Sequence, residues 1–291
     1  MVVDWPNELI SDIARRTCVL YIGAGISANA QSADGSSPPT WDAFLRSCLT
    51  KIDKGDISYI EKLLDQQDLL SACEVIIDRI GVSEFNNIAQ NAFRRPGFIP
   101  ADIHQAIYNL DSRLVITPNV DKIYEQYAQA TSYGTVVVKK QTEHDISNFI
   151  RSTDRVILKA HGSIDAPNEM IFSKYQYNEA RYKYSGFYKL LDSLALTHTY
   201  VFIGCGLNDP DIRLTLENYN FGFPGCKPHY FVSADTSMNP DLEQSLLKNC
   251  NLKVIKYDNS DGSHKELLVA LNQLVALVED ERNKIAGTQN W

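Results

Sequence analysis

Seven short runs rich in Val, Ile and aromatic residues recur along this chain: Cys18–Ile22, Arg113–Thr117, Thr135–Val138, Arg155–Lys159, Tyr200–Gly204, His229–Ser233 and Leu252–Tyr257. Most are apolar without alternation. A strand with one solvated face alternates polar and apolar residues, whereas a strand in a parallel sheet covered on both faces does not. Between the runs, apolar residues fall at helical spacing. Short buried strands alternating with helices predict an α/β chain, a Rossmann-like doubly wound parallel sheet. The alternation breaks between the first and second runs. Residues 41–110 carry Leu63-Leu64, Leu69-Leu70, Val75-Ile76-Ile77, Phe85, Ile88 and Phe93 at helical spacing, with no strand pattern. We read that block as a helical insertion within a single domain spanning 1–291.

Residues 1–16 predict a short amphipathic helix with Leu9, Ile10 and Ile13 on one side. About Ser263–Lys284 a last helix places Leu267, Leu268, Leu271, Leu274, Val275 and Val278 on one face. The polar stretch Ala28–Pro39 has no periodicity, and Thr40 is placed to cap the helix that follows. Twelve residues are long for a structural connection, so this loop reads either as a binding loop or lid, or as plain surface.

A net charge of −8 argues against a nucleic-acid surface, because phosphate binding is driven by Lys and Arg. The first ten residues hold two acids, a proline and no apolar core, which predicts no signal peptide. No apolar run approaches the ~20 residues that span a bilayer. The six cysteines (Cys18, Cys48, Cys73, Cys205, Cys226 and Cys250) lie more than twenty residues apart. That spacing gives neither a Cys-x-x-Cys zinc knuckle nor a disulfide framework, and predicts reduced cysteines in a cytoplasmic protein.

In a doubly wound sheet, ligands sit beyond the carboxyl ends of the strands. The first run ends in Gly23-Ala24-Gly25-Ile26-Ser27, where two residues without Cβ let the backbone turn tightly or approach a ligand. It is followed neither by a third glycine at fingerprint spacing nor by an acid ~20 residues on, so an ordinary strand–helix turn stays open. The second run leads into Thr117-Pro118-Asn119-Val120-Asp121, which offers two polar side chains at the ligand edge or a cap for the next helix. The run ending at Lys159 leads into Ala160-His161-Gly162-Ser163, where the histidine is a candidate general base or a structural residue. The run ending at Gly204 leads into Cys205-Gly206-Leu207-Asn208-Asp209-Pro210-Asp211. Its glycines again permit close approach, while Asp209-Pro210 and Asp211 read as a helix-start device.

Gly-Ala-Gly-Ile-Ser, Thr-x-Asn-x-Asp, His-Gly and a glycine-rich strand end, in that order, resemble the sirtuin family of NAD-consuming enzymes. The match looks most like the bacterial defence-associated branch, in which glycine followed by Asp-Pro-Asp is typical near residues 204–211. It runs from about 18 to 258. The resemblance implies that Gly23, Ala24, Gly25 and Ser27 hold the pyrophosphate and adjoining ribose. It implies that Asn119 orients the nicotinamide ribose and a water or acceptor, Asp121 binds the carboxamide, and His161 is the base. Gly204 and Cys205 line the adenosine side, and the loop 28–39 is the lid.

Two departures matter. The chain lacks the Gly-Ile-Pro-Asp-Phe-Arg string of conventional sirtuins, which leaves the contacts on the nicotinamide side open. Residues 163–199 contain no cysteine, so no zinc module is expected, and with it goes part of the cleft for an acyl-lysine. Five tyrosines stand there instead, at 175, 177, 182, 184 and 188, and read as core or contact surface.

With NAD as substrate and no acyl-lysine cleft, water is the natural nucleophile. The implied function is an NAD glycohydrolase producing ADP-ribose and nicotinamide, a gated effector of anti-phage defence by NAD depletion (abortive infection). The alternatives are a protein deacylase or ADP-ribosyltransferase, or a non-catalytic NAD or ADP-ribose sensor. The expected gate is the loop 28–39, a homo-oligomer or a separate partner, and for the partner the resemblance implies a HerA-type ATPase.

Overall fold

A computed structural model describes residues 2–52, 55–206 and 209–288. Its helices and strands run α1 (Asn7–Ala14), β1 (Cys18–Ile22), α2 (Ala24–Ser27), α3 (Trp41–Leu49), α4 (Ser58–Asp65), α5 (Leu69–Ile80), α6 (Val82–Phe93), α7 (Asp102–Asn109), β2 (Leu114–Thr117), α8 (Ile123–Thr131), β3 (Val137–Lys140), α9 (Ile146–Ile150), β4 (Val156–Lys159), α10 (Lys174–Lys183), α11 (Ser185–Thr197), β5 (Thr199–Ile203), α12 (Pro210–Gly222), β6 (His229–Ala234), α13 (Pro240–Cys250), β7 (Leu252–Tyr257) and α14 (Lys265–Thr288). The seven strands form one sheet in the order β3-β4-β2-β1-β5-β6-β7, and every pair is parallel. The fold is α/β and Rossmann-like.

β1 sits mid-sheet, with Val19 and Tyr21 opposite Leu114 and Ile116 on one side and Tyr200 and Phe202 on the other. All five of its side chains are buried, which is why its sequence shows no alternation. Alternate residues feed two cores. Leu20 and Ile22 face the layer of α1, α7, α8 and α14, while Val19 and Tyr21 face that of α9, α11, α12 and α13. The chain leaves β1 for β2 on one side and later returns to β5 on the other. The switch point is therefore the crevice between β1 and β5.

The third strand begins two residues later than its apolar run suggests. Thr135 and Val136 are held in a turn by Ser132, whose carbonyl accepts from the Thr135 hydroxyl (3.0 Å) and whose hydroxyl accepts from the Val136 N–H (3.1 Å). Pairing with β4 starts at Val137–Val156 and runs on through Lys139 and Lys140. β3 is an edge strand, and its lysines pair with Glu143, Asp145 and Glu169, an arrangement that discourages a further strand from adding there. α1 likewise starts at Asn7, beyond Pro6, and covers only the middle of the expected 1–16.

Between β1 and β2 the described elements are helices, and α3 to α6 share a core built on Phe44, Leu64, Cys73, Ile76 and Phe85. Val120, Ile164, Met170 and Phe172, from the loops after β2 and β4, complete that core, so the helical lobe rests on the ligand edge of the sheet. α7 packs instead on α14 and α8, in the layer covering the sheet.

His229 on β6 makes stability depend on pH. Its ring is buried against Tyr200 and Tyr219, and Nδ1 accepts the Tyr200 N–H at 3.0 Å. Burial pushes its pKa down to about 4. The folded chain therefore keeps this ring neutral while the unfolded chain, with an ordinary value of ~6.5, already takes the proton. The neutral ring's contribution is whole above pH ~6.5 and is lost progressively toward pH ~4, on the order of 3 kcal/mol in all. Urea unfolding of the protein and of His229→Gln from pH 7 to 4.5 should show a shallower decline in the variant. Parallel declines would refute the assignment.

Candidate active site

The glycines after β1 are required first by the protein's own packing. A Cβ on Gly23 would lie 2.4 Å from Cys205 Cβ, and one on Gly25 2.8 Å from the Gly204 carbonyl oxygen. The Gly23 N–H donates to Ile203 O (3.0 Å) and the Gly25 N–H to Gly204 O (2.7 Å). The N–H groups of these two glycines, residues that the resemblance places at the pyrophosphate, are thus spent on the end of β5. α2 has only four residues, so the turn leads into no long helix. The bare backbone instead lets the chain after β5 lie directly across the end of β1. Gly204 itself has φ +63°, and a Cβ there would meet Ile26 N at 2.8 Å. Gly23→Ala should displace the 203–206 segment, costing about 1–3 kcal/mol. Thermal melts test this, with Gly186→Ala on open helix surface as the control. Equal behaviour of the two variants would refute it.

Two cavities meet at this crossing. One of about 430 Å³ is lined by Gly23, Ala24, Ser27, Asn119, Asp121 and His161, with the helical lobe as its outer wall. The other, about 650 Å³, runs over β6 and β7 between α12, α13 and the loop before α14. Gly25, Gly204, Cys205 and Gly206 line both. Gly204 and Cys205, expected on the adenosine side alone, therefore stand at the junction. Burial pushes the Cys205 thiol up, with Asp209 adding to the shift, so it stays protonated. The loop 28–39 touches both chambers, Ala28 and Asn29 in the larger, Pro38 and Pro39 in the smaller. It is folded on itself by Ser32, Asp34 and Ser36 and bridged to Ile99 through Gln31.

The smaller cavity brings the sequence-derived residues together. Asn119 Nδ2 donates to the buried Ser27 Oγ at 3.0 Å, and the Asn119 N–H donates to Thr117 Oγ1 at 3.1 Å. Thr117 in turn donates to the last carbonyl of β1, tying the two strand ends together. Ser27, assigned to the pyrophosphate and ribose, thus also holds Asn119. Asp121 answers to both sequence readings: it accepts the Ile123 N–H at the start of α8 (3.0 Å) and it lines the cavity. Beneath it Lys159 is fully buried, 2.9 Å from Glu125 in an ion pair off hydrogen-bond alignment, and donates to the Asp121 carbonyl.

His161 is 6% exposed and engaged at both ring nitrogens. Nε2 lies 3.3 Å from Asp209 Oδ2 and Nδ1 lies 3.3 Å from the Tyr177 hydroxyl. Tyr21 donates to the same Asp209 oxygen at 3.2 Å. Burial above all, and then the nearby Asp209 carboxylate, push the Tyr21 phenol well up, so it remains a donor. Asp209 is more than a helix-start device. Its contact with the Ile212 N–H is a long 3.5 Å, while its other oxygen faces the histidine. Sequence reading missed this because local spacing already explained the residue. The Asp-Pro step just beyond a strand end was the available signal. Leu207 and Asn208, within the same run, lie outside the described residues. Of the five tyrosines, Tyr177 reaches the site, while Tyr175 and Tyr182 are exposed.

Among the described residues, Asp68, Asp121 and Asp209 line the smaller cavity and no Lys or Arg does. The outer wall is apolar, with Trp41 stacked on Phe172 at 4.7 Å beside Leu69, Leu70 and Phe93. An acidic chamber with an apolar outer wall and a histidine suits a cationic group that must be held and attacked. No three His, Cys, Asp or Glu side chains among the described residues group to hold a metal.

Residues 113–255 match the SIR2-like domain family, a span that holds Asn119, Asp121, His161, Gly204, Cys205 and Asp209. Over that span the chain is similar to SIR2-like proteins. It is 23% identical over 283 residues to a protein of Acinetobacter baumannii named NAD(+) hydrolase ThsA, covering 94% of this chain and 55% of that one. It is also 23% identical over 303 residues to Defense-associated sirtuin 2 of Bacillus subtilis, covering 97% of this chain and 27% of that one. A Bacillus cereus NAD(+) hydrolase ThsA is 22% identical over 139 residues, 47% of this chain and 29% of its own. The chain thus spans about half or less of the length of these relatives. Among its described residues no helix is long and apolar enough to cross a membrane.

Proposed function

We propose that the chain hydrolyses NAD to ADP-ribose and nicotinamide. One observation carries this reading: an acid-lined cavity holding Asn119, Asp121 and His161 meets, over a glycine crossing, a second cavity of about 650 Å³, roomy enough for the other half of a dinucleotide. The nicotinamide riboside end, a pyridinium cation, belongs in the acidic chamber, the adenosine end in the larger one, and the diphosphate over Gly25 and Gly204–Gly206. The bond from ribose C1′ to nicotinamide breaks, and its electron pair returns to the pyridinium nitrogen, discharging it. Asp121 binds the nicotinamide carboxamide, and the oxocarbenium-like centre forms within the acid-lined chamber. Water bonds to C1′ and yields its proton to His161. Asn119, anchored on Ser27, orients the ribose and the water. The names of the relatives and the SIR2-like match support the same reaction.

The test is product analysis with NAD as the only substrate. ADP-ribose and nicotinamide in equal amounts support hydrolysis. Release that requires an acylated peptide or acceptor protein would overturn it in favour of transfer, and binding without turnover would overturn it in favour of a sensor.

An unrestrained NAD hydrolase would destroy its own cell, so the activity serves as a gated effector of anti-phage defence. The gate in this reading is assembly, either of copies of this chain or with a separate partner such as a HerA-type ATPase. Exposed Leu214, Phe221 and Phe223 on and just after α12 supply apolar surface for such contacts. The compartment is the cytoplasm, in keeping with six free cysteines. Specific activity should rise with protein concentration or on adding the partner.

A further inference from the structure

We infer that Asp209 is a positioning residue that fixes the tautomer of His161, placing the proton on Nε2 and leaving Nδ1 as the basic nitrogen. The inference rests on His161 acting as the base proposed above.

The argument is one of donors and acceptors. A carboxylate can only accept, so the Asp209 Oδ2 ion-pair contact 3.3 Å from His161 Nε2 favours the proton on that nitrogen. Tyr21 donates to the same oxygen at 3.2 Å and is itself buried in β1, so the carboxylate is held from below. On the other side of the ring, the Tyr177 hydroxyl stands 3.3 Å from Nδ1 and can donate to the lone pair that this tautomer leaves there. His161, Tyr177 and Asp209 all line the smaller cavity, so the basic nitrogen and its aligning carboxylate share the chamber assigned to the nicotinamide ribose. A water or ribose hydroxyl taking the place of the Tyr177 hydroxyl would find an acceptor already oriented. Without the carboxylate, the imidazole would distribute its proton between both nitrogens and its ring would turn more freely.

His161 follows β4 and Asp209 precedes α12, on opposite sides of β2 and β1 in the sheet. They meet because the glycines at 23, 25 and 204 let the chain after β5 cross the end of β1. The glycine signature and the Asp-Pro step thus serve one purpose, which neither explains alone.

The experiment uses long-range nitrogen–proton correlation spectra of the histidine-labelled full chain, with the His161 signal assigned by its loss in His161→Gln. In the unaltered protein at pH 8, a proton on Nε2 and an unprotonated Nδ1 is the expected signature. A proton on Nδ1 would overturn the inference without any variant being needed. Asp209→Asn keeps a good helix cap and nearly the same shape. It should shift the signal toward the other tautomer and lower kcat about 10²–10⁴-fold, with KM within a few-fold. Asp209→Glu should recover part of kcat and the original tautomer. A loss of kcat with an unchanged tautomer would overturn the inference, since Asp209 would then act through another group. If the protein hydrolyses no NAD under any condition, the functional reading fails, and the spectra still decide the Asp209–His161 link.

Discussion

Nicotinamide release should fall about 10²–10⁴-fold in His161→Ala and about 10²–10³-fold in Asn119→Ala, under the conditions where the unaltered protein is most active. The two losses have different origins. In the proposed mechanism His161 receives the proton of the attacking water, and its removal leaves bulk solvent to do so. In the same mechanism Asn119 aligns the ribose and the water, and its own anchor is the 3.0 Å bond to Ser27. Ser27→Ala should therefore weaken hydrolysis less than Asn119→Ala, because the side-chain amide is still present on a turn that the Asn119 N–H holds to Thr117 Oγ1. Binding of NAD separates chemistry from affinity: both alanine variants should retain it within a few-fold. Unchanged release in either variant, with the fold intact by circular dichroism, would remove that residue from the mechanism.

Lys159→Ala should destabilise the protein by about 3–5 kcal/mol, because it strands a buried carboxylate. Lys159 is 2% exposed and Glu125 6%, and the other cation beside Glu125, Lys122, stands 4.0 Å away. The lysine also donates to the Asp121 carbonyl, joining β4 to the turn that carries Asn119 and Asp121. Loss of the amine should therefore loosen the site as well as the core. For a domain of this size the thermal midpoint should drop by roughly 10 °C. The paired substitution Lys159→Met with Glu125→Leu removes both charges and keeps the volume, so it should recover most of the loss. A double variant as unstable as the single one would show that the lysine acts through the Asp121 carbonyl rather than through the ion pair.

The strands were legible because burial on both faces leaves a signature in each run of residues. The error at β3 has the same root. An edge strand is only half covered, so Lys139 and Lys140 could join it at little cost while apolar Val136 stayed in the turn. Asn119 and His161 could be found because each follows a strand directly, and a residue just past a parallel strand must sit at the ligand edge. The glycines could be found too, although their reason could not. Their missing Cβ atoms make room for residues 203–205, which the chain reaches some 180 positions later.

What the sequence alone determined, then, is everything that depends on neighbours along the chain: the buried strands, the helical block, the residues at each strand end, and the resemblance carried by their order. The tertiary structure alone decided the pairings between ends. It placed Asp209 on His161, Tyr21 beneath Asp209, Tyr177 on the other ring nitrogen, and Lys159 under Asp121. Each of these depends on strand order, on which strands lie between, and on whether one backbone can cross another. Local propensity carries no term for such distances, whereas a close-packed interior fixes them.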